Sequence, residues 1–145
     1  MVDQSRELAA RFFNEVWGLL DRKDRSAEDD LRMIHLAHAS RAHWQIAGGP
    51  REWAIGEWQI ARVYAVIGRG EPALYHATIA MKMTSDGALG PFLEGSAHEV
   101  MARACHAAGR AAEAARHHKA ATEIAARLTD PEERQLLELD LRNGR

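Results

Sequence analysis

The sequence predicts an all-α protein: about six helices stacked as repeated pairs, followed by a C-terminal capping helix. Three observations carry this reading. Ala, Leu, Glu and Arg dominate while Val and Thr are scarce, which favours helix throughout. Apolar residues recur at helical spacing, and no window alternates with period two for long enough to make a strand. The stretch Trp58 to Ala80 matches a second stretch 41 residues on, with Ala61, Arg62, Gly68, Arg69, Ala73, His76 and Ala80 falling on Ala102, Arg103, Gly109, Arg110, Ala114, His117 and Ala121. A repeated helix–turn–helix unit marks a stacked array, because one pair cannot bury its own apolar face.

Helix one is expected from Ser5 to Leu20, with Leu8, Phe12, Phe13, Val16, Leu19 and Leu20 on its apolar side. Asp21 to Arg25 is a charged connector. Ser26 and Asp29 form the spacing of a capping box, so helix two starts there and runs to about Ala47. Gly48, Gly49 and Pro50 end it, with a glycine expected in the left-handed region and the proline opening helix three. Helix three reaches Ile67 and is closed by Gly68; helix four spans Glu71 to Thr84. Ser85 to Pro91 is the longest irregular stretch. Helix five is expected from Phe92 to Ala108, closed by Gly109, and the Ala-rich helix six from Ala111 to Leu128. Asp130 caps helix seven, whose apolar side is Leu136, Leu137, Leu139 and Leu141.

Composition narrows the function classes. The 145 residues fit one domain, residues 1–145, long enough to bury a core of ordinary size. A net charge of −2 argues against a general affinity for nucleic acid or anionic membranes. No apolar run approaches a membrane span, and the N-terminus lacks the apolar core of a secretory signal. The single Cys105 excludes an internal disulfide and fits a reducing cytoplasm. It is expected to be a small buried hydrophobe rather than a nucleophile.

Within the repeated stretch, Tyr64, Gly68, Ala73 and Ala80 stand where tetratricopeptide repeats place a helix-A aromatic, a turn glycine and two small helix-B residues. Ala102, Gly109, Ala114 and Ala121 do the same in the second copy. The chain is similar to that repeat class over Glu52 to Leu128, with a period of 41 in place of the usual 34. The aromatic Trp58 is displaced by one from the usual position, and the closing proline is missing from the first copy. More closely, HASRAHW with GEWQIARVYAVIGRGEPALYHA resembles a group of small bacterial tetratricopeptide-like proteins. The resemblance implies a right-handed helical array that binds a peptide or partner protein in a concave groove. It places Trp58, Arg62, Glu99, Arg103 and His106 along that groove.

Arg62 and Arg103 suit an acidic ligand, by the planar fork of the guanidinium, and Trp58 adds an apolar or cation–π surface. An internal ion pair of Arg62 with Glu99 is the competing reading of the same residues. The alternative function is a metal- or small-molecule-dependent enzyme built on a polar cluster of His38, Arg41, His43, Glu57 and His76. Against it, His38 and His43 point about 140° apart on one helix and cannot reach one metal without help from other helices. No zinc, nucleophile-elbow or phosphate-loop motif occurs, so no metal ligands, catalytic residues or cofactor are assigned. Exposed apolar surface on helices one and six is compatible with a homodimer.

Overall fold

The computed structural model describes residues 1–143, and among these every regular element is a helix. In chain order they are α1 (Val2–Leu20), α2 (Ala27–Ala47), α3 (Pro50–Val66), α4 (Gly70–Thr84), α5 (Pro91–Ala107), α6 (Ala111–Arg127) and α7 (Pro131–Arg142).

The helix ends are fixed by local chemistry. Ser26 Oγ accepts from the Asp29 amide at 3.1 Å and Asp29 accepts from the Ser26 amide at 3.0 Å, the reciprocal capping box. Asp130 accepts from the Glu132 and Glu133 amides at the start of α7. Prolines 50, 91 and 131 open α3, α5 and α7, where no amide is needed.

The two repeated hairpins turn in the same way. Gly68 and Gly109 have φ of 82° and 77°. The following amides, of Arg69 and Arg110, each donate at 2.8 Å to the carbonyls of Tyr64 and Cys105. This is the glycine-dependent helix stop in which a left-handed residue returns the chain to its last turn. Gly109→Val is therefore expected to cost roughly 1 kcal/mol or more, because a β-branched residue resists that region. A wild-type melting temperature in the variant would count against it.

One end differs from expectation. Gly48 closes α2 with φ −112° and ψ −167°, extended rather than left-handed. Its reason for being glycine is space: a Cβ there would lie 2.8 Å from Glu52 Cβ. Glu52 in turn accepts from the Gly49 amide at 2.8 Å, so the α2–α3 corner is closed by side chain rather than by backbone twist.

Each helix packs on its neighbours in sequence, and in addition α3 packs on α5 and α5 on α7. The Trp17 ring meets Trp58, and Gln59 donates to the Phe13 carbonyl, joining α1 to α3. The odd-numbered helices thus lie side by side. The core is built from Val16, Met33, Ala37, Ile60 and Val63 between α1, α2 and α3. It continues through Ala61, Ala73, Ala77, Val100, Ala104 and Cys105 between α3, α4 and α5, and ends in Ile124, Ala125, Leu128 and Leu137. Alanines at the central contacts let the helix backbones approach closely. No helix among the described residues is long and apolar enough to cross a membrane.

Candidate functional site

The 41-residue spacing extends beyond the two hairpins that reveal it. Trp17, Trp58, Glu99 and Asp140 follow at intervals of 41 on α1, α3, α5 and α7, near the middle of α3 and α5 and towards the C-terminal ends of α1 and α7, and they meet along one side of the molecule. Trp17 and Trp58 have ring centroids 5.6 Å apart. Arg62 lies over both, 5.1 Å from the Trp17 centroid and 5.9 Å from that of Trp58. Its NH1 donates to Asp140 Oδ1 at 3.1 Å and stands 3.9 Å from Glu99 Oε1. Arg103 donates from Nε to Glu99 Oε2 and from NH2 to the Asp140 carbonyl oxygen.

Four of the five groove residues expected from sequence, Trp58, Arg62, Glu99 and Arg103, are therefore brought together. His106 is exposed and takes no part in these contacts. Trp17 and Asp140 belong to the same constellation and were not singled out from the sequence. Both arginines are committed to internal carboxylate and carbonyl oxygens.

Glu99 is 1% exposed, and its Oε1 is among the buried polar atoms with no hydrogen-bond partner. Burial pushes its pKa from the ordinary 4.5 up to about 7, against the opposing charges of Arg103 and Arg62. Between those values the folded chain holds a proton that the unfolded chain has released. The contribution of Glu99 to stability is thus full below pH 4.5 and lost as pH rises towards 7, by on the order of 3 kcal/mol. Wild type is expected to lose stability relative to Glu99→Gln across this window, measured by urea unfolding at several pH values. Parallel curves for the two proteins would refute the assignment.

Beside this ladder lies an apolar pocket of about 440 Å³. All four odd-numbered helices contribute to it: Phe13 and Trp17 from α1, Trp58 from α3, Phe92 from α5, Leu136 and Leu139 from α7. Its size falls in the range that encloses a small organic molecule. Leu136 and Leu139 are about half exposed at its edge, at 49% and 46%. Among the described residues the only charged one in its wall is Asp140.

The polar cluster of α2, α3 and α4 forms a separate arrangement. Glu57 accepts from Arg41 Nε at 2.8 Å with one carboxylate oxygen and contacts His76 Nδ1 at 2.8 Å with the other. His38 Nε2 is 3.0 Å from the Tyr64 hydroxyl, and its ring meets that of His76 edge-on. His43 turns away to Ser5 Oγ at 3.2 Å, so the cluster is divided as the helical angles require. Burial tends to raise the Glu57 pKa, but the hydrogen bond and charge of His76, with Arg41, hold it below the usual carboxylate value. Burial and the neighbouring His76 hold His38 below the usual imidazole value. Among the described residues no three of His, Cys, Asp and Glu are grouped to hold a metal ion.

Under the same spacing Glu57 and His76 correspond to His98 and His117. These two rings also meet, with their Nδ1 atoms 3.0 Å apart. The contact between hairpin arms is repeated while its chemistry changes from carboxylate–imidazole to imidazole–imidazole. Cys105 is 1% exposed, and burial raises its thiol pKa, which opposes a nucleophilic role.

Comparison of the chain with protein-family models, with curated proteins and with solved structures finds no match.

Proposed function

We propose that the chain is a non-catalytic binding module: a right-handed, tetratricopeptide-like helical array that holds an apolar ligand of small-molecule size against its odd-numbered helices. The repeat reading is supported by the equivalent turns at Gly68 and Gly109 and by the spacing that runs through Trp17, Trp58, Glu99 and Asp140. The observation that carries the binding reading is the 440 Å³ apolar pocket, to which all four of those helices contribute. Binding is favoured over an enzyme built on the polar cluster because Glu57 has both oxygens engaged by Arg41 and His76, tying three helices together.

The test uses the neutral fluorophore phenylnaphthylamine, which brightens when it leaves water. Saturable enhancement at about one equivalent per chain is expected, abolished by Leu139→Glu with the helical circular dichroism unchanged. Leu139 is half exposed, so the variant alters the pocket edge rather than the core. No enhancement, or equal enhancement in the variant, would overturn the proposal.

A further inference from the structure

We infer that the ligand of this pocket is an amphipathic cation: an apolar or aromatic body carrying one amine or guanidine-type head that pairs with Asp140. The inference rests on the pocket being the binding site. Its first ground is charge. Among the described residues Asp140 is the only charged one in the pocket wall, and its side chain is 22% exposed. Arg62 engages Oδ1, and among the described residues no hydrogen bond to Oδ2 is found. The carboxylate thus borders the apolar pocket with one oxygen engaged and its side chain still accessible to a second donor.

The second ground is that the chain already holds a cation by this chemistry. The Arg62 guanidinium is seated over the faces of Trp17 and Trp58 and against Asp140. Trp17, Trp58 and Asp140 are all pocket residues as well. Aromatic faces beside a carboxylate attract a positive charge by the ring quadrupole and by direct pairing. Phe13 and Phe92 extend the aromatic wall for the body of the ligand.

The third ground concerns the acidic ligand expected from Arg62 and Arg103 alone. Both guanidinium groups are turned onto Glu99 and Asp140, with side-chain exposures of 11% and 5%. A carboxylate entering the pocket would meet Asp140 rather than an uncommitted arginine.

The experiment is calorimetric titration of the full chain with three molecules sharing one body: phenylbutylamine, phenylbutanol and phenylbutyric acid, at neutral pH and low salt. The amine is expected to bind about tenfold more tightly than the alcohol, and the acid most weakly. Asp140→Asn keeps an acceptor for Arg62 and should remove the advantage of the amine over the alcohol, so that the two bind about equally. If that variant fails to fold, high salt applied to the wild type decides, since it weakens the amine and spares the alcohol. Equal binding of amine and alcohol, tightest binding by the acid, or an amine preference untouched by the variant or by salt overturns the inference. Phenylnaphthylamine separates the two failures. If it binds while the charged series shows no ranking, the charge inference alone falls; if neither binds, the pocket reading falls with it.

Discussion

Measured above pH 7, where Glu99 is ionised, Arg103→Ala is expected to cost about 3–5 kcal/mol of stability, the range for breaking a buried ion pair from one side. Arg103 is 6% exposed and Glu99 1%. Removing the guanidinium leaves Glu99 with only Arg62 nearby, 3.9 Å away, and takes the donor from the Asp140 carbonyl oxygen. Two helices lose a shared anchor, because α5 carries the arginine and α7 the carbonyl. Arg103→Lys should recover only part of the loss, since an ammonium group cannot reproduce the fork that reaches both partners. Urea unfolding measures both variants. A cost below about 1 kcal/mol for the alanine would mean the pair behaves like an exposed one.

Gly70→Ala is the second large effect, expected at about 3 kcal/mol, the upper end of the range for overpacking. A single methyl group normally favours the first turn of a helix, so the ordinary expectation has the opposite sign. Here the added Cβ would stand 2.6 Å from Ala108 Cα and 2.6 Å from its amide nitrogen. Both are backbone atoms at the α5–α6 turn, and neither can rotate out of the way. The start of α4 would have to separate from that turn, opening the interface between the two hairpins. Gly68, two residues earlier, is glycine for a dihedral reason and has nothing near its missing Cβ. A melting temperature within a degree or two of wild type for Gly70→Ala would show that the turn shifts at little cost.

Much of the fold was legible because it is written in short-range signals. The capping box at Ser26 and Asp29, the cap at Asp130 and the stops at Gly68 and Gly109 each involve residues within a few positions of one another. Gly48 was misread because its constraint is contact with Glu52 rather than a dihedral preference, and sequence shows the glycine without its neighbour. The site was legible in part. Arg62 and Arg103 were found because they are identical in the two hairpins. Trp17 and Asp140 escaped because their equivalence with Trp58 and Glu99 is positional, with aromatic residues at one end and acids at the other. Of the partners of the arginines, Glu99 was foreseen for Arg62, whereas Asp140 was hidden, since it lies on α7, beyond the stretch that resembles known repeats.

The pocket takes walls from α1 and α7, the first and last of the described helices. A molecule bound there would touch α1 and α7 at once and act as a reversible clasp across the described helices. Stabilisation of this kind grows with the logarithm of ligand concentration. It would be felt in α1 and α7 together, so their amide hydrogen exchange should slow in concert on saturation. Occupancy would then couple the motions of α1 to those of α7 through a molecule that is not part of the chain.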